Sequence, residues 1–325
     1  MRSNQSKYKL VVNHVIEGIT SGIYKNGDWI PSINEFIRQY KLSRDTVFAG
    51  LAELKSKGII DSNPGVGYFV ISTRVTFEQK IFLLFNEFNA FKEDLYNSLI
   101  ESFGKTVPVD LYFHNYNRKV FETLINEANG KYTTYIIMSG KFEGIDPLLK
   151  KLNGRTYLLD HFHPELTGKY ASVSQNFEKD TYEALVFGKD KISKYHHIVM
   201  IQKDEKEPYE RFYGLKKFGE EFGYQYDFIE TAKDRPIANG ELFIVVNDRD
   251  IVYLIKQSEK QNLVLGTDFG IISYNETPLK EVLSGGITTL STDFTLMGST
   301  MTRLIKKKAI ENIDNPWKFT IRKSL

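Results

Sequence analysis

Arg44 is the residue of this chain best suited to reading a base. A guanidinium can give guanine two parallel hydrogen bonds, worth about 1–3 kcal/mol of discrimination. Around it, Ser32, Ser43, Thr46 and Gly67 are suited to meeting phosphate oxygens, contacts that position a protein without reading sequence. Asp45 and Phe48 share the outward side of the Arg44 segment, and Arg38 adds a cation nearby. A second set, Asp160-His161-Phe162-His163-Pro164-Glu165, could offer two imidazoles to one cation. It lacks the helical spacing and distal ligands of zinc motifs, so a polar loop is expected there, with no metal and no cofactor. No nucleophile elbow, phosphate-binding loop or dinucleotide fingerprint occurs, and no carboxylate pair is singled out for glycoside hydrolysis. No catalytic residue is therefore assigned, and the chain is not expected to be an enzyme.

The elements that must position Arg44 are legible around it. A first helix from about Lys7 to Ser21 buries Leu10, Val11, His14, Val15, Gly18 and Ile19 at helical spacing, with His14 read as a packed core residue. Gly22 and Gly27 supply turns around a short strand at Asp28-Trp29-Ile30. A second helix opens at Pro31-Ser32, where Ser32 and Glu35 stand in capping-box spacing, and turns Ile33, Phe36, Ile37 and Tyr40 inward. The third runs from Ser43 to Lys57, stops at Gly58, and has Val47, Leu51 and Leu54 as its core stripe. Ile59-Ile60 and Tyr68-Phe69-Val70-Ile71 then make a hairpin whose glycines and proline leave a small tip. Three helices and a hairpin of this kind are a helix-turn-helix with a wing, a shape built to enter a DNA major groove.

The bulk figures agree with that and exclude other classes. Apolar residues make up 41% and charged residues 26% of 325, which suits two or three packed domains rather than disorder. No apolar run is long enough to span a bilayer, and the first residues lack a signal pattern. The absence of cysteine rules out disulfides and thiolate metal sites and suits a reducing cytoplasm, the expected location. The net charge of +2 is unevenly spread: residues 1–73 hold nine Lys/Arg against six Asp/Glu, a net +3, leaving −1 for the rest. The cationic excess sits where phosphates would be met.

After a short polar connector without Gly or Pro, placed at 74–79, which should hold the head close, buried-strand runs alternate with helical ones. Ile81–Phe85, Val109–Phe113, Tyr135–Met138, Thr156–Asp160, Ala171–Val173, His197–Ile201 and Leu242–Val246 read as strands. Helices follow near 91–103, 119–128, 147–152, 177–187, 207–222 and 248–261, and a final run joins 263–268 to 271–273. This rhythm predicts an α/β body of doubly wound parallel sheets in two lobes over 80–325, with a ligand at the C-terminal ends of the strands.

The order Pro31-Ser32, Ser43-Arg44-x-Thr46-Val47, Leu51-x-x-Leu54, Gly58-Ile59 and Gly65-x-Gly67-Tyr68-x-Val70 resembles the GntR family of bacterial repressors. That pattern usually carries two arginines where this chain has Asn34 and Phe48. In the body, Arg211-Phe212-Tyr213-Gly214-Leu215, Val246-Asn247-Asp248, Ile272–Leu279, Gly286–Leu290 and Ile321–Ser324 are similar to LacI/GalR regulators in order. That resemblance implies the type 1 periplasmic-binding-protein fold and sugar recognition in a hinged cleft. A GntR-type head on such a body resembles the arabinose-repressor arrangement.

The resemblance points Arg211, Asn247, Asp248 and Asn275 into the cleft from one lobe, and Phe91, Ser139, Asp160 and His161 from the other. Arg, Asp and Asn side chains suit vicinal hydroxyls, and an aromatic ring suits a pyranose face. The family's Gly-Phe-Asp is here Ser273-Tyr274-Asn275, and its Asp-Asn after the fifth strand is Gln175-Asn176. Simpler roles stand beside these: Asp160 as a turn cap, Arg211 paired on a helix surface with Glu207, Asn247-Asp248 as a helix N-cap. The expectation is a cytoplasmic, homodimeric DNA-binding repressor governed by a monosaccharide or related sugar. Alternatives are a nucleobase or other small effector, or a head that docks on a protein partner.

Overall fold

The computed structural model describes residues 7–73, 79–104, 106–203 and 206–325. The expected linker, 74–79, lies outside them except for Gln79. The head comprises α1 (Tyr8–Thr20), α2 (Ile33–Tyr40), α3 (Arg44–Ser56), β1 (Ile60–Asn63) and β2 (Gly67–Val70). Helices α2 and α3 start where their caps dictate. The Ser32 hydroxyl accepts from the Glu35 amide at 3.3 Å while the Glu35 carboxylate accepts from the Ser32 amide at 2.7 Å, so the capping box is closed. Ser43 accepts from the Thr46 amide in the same way. Val11, Val15, Phe36, Val47, Leu51, Leu54 and Val70 are fully buried in one core. His14 packs at its side, its two ring nitrogens against the hydroxyls of Tyr40 at 2.9 Å and Tyr24 at 3.1 Å.

The wing differs in detail from expectation. Asp28–Ile30 makes only a bridge, Trp29 opposite Phe69, in place of a strand. Asp61, Ser62 and Asn63, read as loop, pair with Phe69, Tyr68 and Gly67, which shortens the tip to Pro64-Gly65-Val66. Pairing satisfies backbone groups that a longer loop would leave to water.

The body continues with β3 (Ile81–Phe85), α4 (Ala90–Phe103), β4 (Val109–Phe113), α5 (Arg118–Ala128), β5 (Thr134–Ile137), α6 (Asp146–Leu149), β6 (Arg155–His161) and β7 (Ala171–Gln175). It then runs through α7 (Phe177–Phe187), α8 (Lys189–Ile192), β8 (His197–Ile201), α9 (Glu210–Phe222), β9 (Gln225–Ile229), β10 (Glu241–Val245), α10 (Asp248–Gln261), β11 (Phe269–Tyr274) and α11 (Pro278–Val282). The last elements are β12 (Thr288–Thr292), α12 (Phe294–Lys307), β13 (Asn312–Asp314) and β14 (Trp317–Thr320). They form two six-stranded sheets, in the orders β13-β7-β6-β5-β3-β4 and β14-β12-β11-β10-β8-β9. All neighbours are parallel except β12 with β14. Helices cover both faces, which is why β3 and β10 are buried along their whole length. The expected run at 263–268 is a turn, and the strand there is β11.

Among the described residues the chain passes between lobes three times, at 175–177, 292–294 and 314–317. Helix α12 follows a strand of the second lobe but packs its Phe294, Met297, Met301, Leu304 and Ile305 into the first. Asn315 ties two crossings together: its side-chain amide donates to the Thr292 hydroxyl at 2.8 Å and the Asp293 carbonyl at 2.9 Å, and its backbone amide to the Ser174 carbonyl at 2.7 Å.

Asp180, at the start of α7 beside the first crossing, is buried and accepts from the Asn176 amide at 3.2 Å. Burial, with Asp314 and Glu183 adding to it against Lys179 and the Asn176 amide, pushes its carboxyl up to about 7. The folded protein therefore holds this proton more tightly than the unfolded chain. The favourable contribution is complete below about pH 4 and is lost as pH rises towards 7. Asp180→Asn should narrow the difference between urea midpoints at pH 5 and pH 8, chiefly by raising the one at pH 8. An unchanged difference would show that Asp180 does not titrate in this way.

Candidate ligand cleft and nucleic-acid interface

The strands of both lobes end on one cleft. Asn86 and Glu87 follow β3, Gly140 follows β5, Asp160 and His161 end β6, and Gln175 ends β7. Across the gap, Gln202 follows β8, Asn247 and Asp248 follow β10, and Asn275 follows β11. The cavity between them is about 250 Å³, below the about 300–1,000 Å³ of sites for drug-sized molecules. That is the scale of a single sugar ring.

Arg211 is a tightly constrained cation of its wall. The side chain is 4% exposed, and its guanidinium lies 4.8 Å from the Phe177 ring and 4.5 Å from the Tyr274 ring. One terminal nitrogen donates to Glu207 at 2.5 Å, while the buried Nε has no partner. Thus the i−4 pair foreseen as a surface feature exists, but as part of the cleft wall. Packing makes the difference, because Gly214, one turn on, lets α9 approach α7 so closely that a Cβ there would sit 2.3 Å from the Glu178 carbonyl.

Asn275 and Asp160 both adopt left-handed backbone conformations, φ 63° and 78°, which cost energy in non-glycine residues and mark sites held by their surroundings. For Asn275 the holding group is Lys280. Its buried ammonium donates to the carbonyls of Tyr274 at 2.7 Å and Asn275 at 2.8 Å and pairs with Asp248 at 3.0 Å. Burial lowers the pKa of this lysine and Asp248 opposes that shift. The Asn275 side-chain oxygen is buried with no partner. Asp160 accepts from the Gln175 side-chain amide at 2.5 Å. Asn247 does cap α10, accepting from the Arg249 amide at 2.9 Å, and still lines the cleft.

Of the eight residues expected in the cleft, Phe91, Asp160, His161, Arg211, Asn247, Asp248 and Asn275 line it. Ser139 does not: it is 1% exposed behind the wall, its hydroxyl 2.5 Å from His163 Nε2, while His163 Nδ1 faces Glu165 at 3.3 Å. Burial lowers the pKa of both His161 and His163, and their rings lie 5.1 Å apart. Lys92, Tyr116, Phe177, Lys280 and Phe294 also line the cleft and were not among the expected residues. Lys92 is 4% exposed and its ammonium contacts the Asn86 side-chain oxygen. Phe294 stacks on Phe91 with ring centroids 5.1 Å apart. Gln175 had a sequence signal, standing where the resemblance places an aspartate. At the rim, Lys141 donates to the Glu207 carbonyl at 3.1 Å and the Lys206 ammonium lies 5.3 Å from the Tyr116 ring, so the lobes touch across the opening.

In the head, Arg44, Asp45 and Phe48 are exposed on α3, Arg38 on α2, and Ser32 at the N-cap of α2. Gly67 begins β2 with φ 154°. Ser43 and Thr46 hydroxyls are 2.7 Å apart and close the cap of α3. The guanidinium of Arg44 lies 5.6 Å from the Phe48 ring.

Residues 7–70 match the family described as bacterial regulatory proteins, gntR family. The probable fructoselysine utilization operon transcriptional repressor of Escherichia coli K12 is 34% identical over 73 residues, covering 22% of this chain and 30% of that protein. The match thus spans less than a third of the relative's length. The body is similar in structure to a periplasmic binding protein/LacI transcriptional regulator from Alkaliphilus metalliredigens complexed with D-xylulofuranose. There the TM-score is 0.62 at 15% identity, over 76% of this chain and 98% of that one. A LacI family transcriptional regulator from Enterococcus faecium with bound ribose gives 0.61 at 17% identity, over 76% and 98%. Identities this low speak to fold. The chain therefore carries a gntR-family helix-turn-helix domain at residues 7–70, followed by a two-lobed body with the periplasmic-binding-protein-like fold of LacI regulators.

Proposed function

We propose that this protein is a cytoplasmic DNA-binding transcriptional repressor whose operator affinity is set by a monosaccharide or related sugar held between the two lobes. The observation that carries the reading is the cleft itself. A cavity of about 250 Å³ at the strand ends of both lobes is lined by Asp160, Arg211, Asn247, Asp248 and Asn275 and flanked by the Phe91–Phe294 stack. Such a set gives and accepts hydrogen bonds around a hydroxylated ring and offers an aromatic face to its C–H side. The gntR-family match at 7–70 supports DNA as the partner of the head, and the sugar-bound structures similar to the body support the effector class.

The coupling is a population shift. Sugar binds the two lobes with different affinity in their open and closed arrangements. A homodimer carries that change to the spacing of two α3 helices in successive major grooves. A hundredfold change in operator affinity needs about 2.7 kcal/mol of differential binding, within reach of two or three buried hydrogen bonds. Thermal denaturation of the full chain against a panel of pentoses, hexoses and purines tests the effector, and a salt series on duplex DNA tests the partner. Stabilisation by purines alone would overturn the sugar reading. DNA affinity that ignores ionic strength would overturn phosphate-driven binding.

A further inference from the structure

The outward face of α3 is unusual in what it lacks. Its exposed residues are Arg44, Asp45, Phe48, Ala49, Ala52 and, at the far end, Lys55 and Ser56. Past the first turn, and until Lys55, this face has no polar side chain that could hydrogen-bond a base edge. What it has is apolar: Phe48 at 39% exposure, then two alanine methyls. A phenylalanine left this exposed is not held there by the core, since Val47, Leu51 and Leu54 already fill the inward stripe. Phe48 also lies one helical turn from Arg44, with its ring 5.6 Å from the guanidinium carbon. Arg44 is thereby kept leaning along the helix face, at a separation of less than two base-pair steps of about 3.4 Å from the ring.

In the major groove one base offers an apolar group, the 5-methyl of thymine, and Phe and Ala side chains are its ordinary partners. Resting on the DNA-binding reading above, we infer that Phe48 is a specificity-determining residue of the recognition helix beside Arg44. It packs on the methyl of a thymine within two base pairs of the guanine read by Arg44, and Ala49 and Ala52 extend the apolar strip. The preferred half-site is accordingly a guanine beside thymines, in place of the second hydrogen-bonded base that an arginine at position 48 would select.

The methyl can be removed from the DNA without touching the protein. Duplexes enriched by the full-length protein from a random library would be remade with deoxyuridine for each thymine in turn. Binding would be followed by fluorescence anisotropy at fixed salt. At the thymine near the guanine, uracil should weaken wild-type binding about fourfold, the equivalent of about 0.8 kcal/mol for one buried methyl-sized group. Phe48→Ala, an exposed position, should bind the thymine duplex more weakly and show no further loss on uracil. Selection with Phe48→Arg should replace that thymine by guanine. An enriched duplex insensitive to uracil at every thymine, or equal uracil losses in wild type and Phe48→Ala, would overturn the inference and leave DNA binding standing. Failure to enrich any duplex would overturn both.

Discussion

Arg211→Met should weaken sugar binding by one to two orders of magnitude while leaving operator affinity of the ligand-free protein unchanged. The guanidinium is 4% exposed, clamped between Phe177 and Tyr274 and tied to Glu207, so its direction is set before any ligand arrives. Its Nε–H is buried without a partner, a donor that a ligand oxygen would satisfy. A hydrogen bond from a charged donor is worth about 1.5–3 kcal/mol, which is about a 10- to 150-fold change in affinity. Methionine fills most of the volume and can lie between the two rings, so the fold should survive.

Two companion variants separate charge from shape. Arg211→Lys should recover little, because an ammonium cannot replace a planar fork held between rings. Glu207→Gln should weaken binding less than Arg211→Met, since it loosens the guanidinium without removing it. Isothermal titration with the best sugar from the thermal panel reads all three. Retention of wild-type affinity in Arg211→Met would take Arg211 out of the cleft chemistry and make it a packing residue.

The parts of this molecule that could be read from sequence are those whose physics is local. Ser32 with Glu35, and Ser43 ahead of an apolar stripe, start helices because the caps lie within three residues of the amides they satisfy. Ile81–Phe85 and Leu242–Val246 stand out as strands because covered parallel sheets need apolar residues on both faces. What depends on distant contacts is harder to see. Periodicity over 294–307 can indicate a helix but not that it returns to the first lobe, since the two sheets make equally apolar partners. The short strands β13 and β14 are likewise defined by crossings and not by their own composition.

The cleft follows the same division. Residues at or just after the C-terminal ends of strands, such as Asp160 and Asn275, are marked by topology because parallel sheets gather those ends. Lys92 and Lys280 are not marked. A lysine on a helix is ordinarily solvated, and only the tertiary fold reveals one ammonium against Asn86 and the other under the Asn275 turn. Ser139 is the opposite case. It lies two residues past the end of β5, the right region of the chain, but its hydroxyl meets His163 behind the wall.

Arg44→Ala should lower operator affinity by about 10- to 100-fold, the effect of removing one bidentate base contact worth about 1–3 kcal/mol. The side chain is exposed at the first turn of α3, bonded to no carboxylate among the described ion pairs, and held along the helix face by Phe48. Its loss should cost the fold little, so the thermal shift given by sugar should remain as in the wild type. The contrast with Arg38→Ala makes the prediction sharp. Arg38 is exposed on α2, its Nε donating to the Asn34 carbonyl at 3.4 Å, and is suited to a phosphate. Removing a phosphate contact weakens specific and nonspecific DNA alike and lowers the slope of log affinity against log salt by about 1. Removing a base contact should leave that slope intact and reduce only the preference for the operator. Measuring both variants on operator and random duplex over a range of salt distinguishes the two roles. If Arg44→Ala instead changed the salt slope and spared the preference, Arg44 would be a backbone contact, and the base-reading function would have to move along α3 towards Phe48.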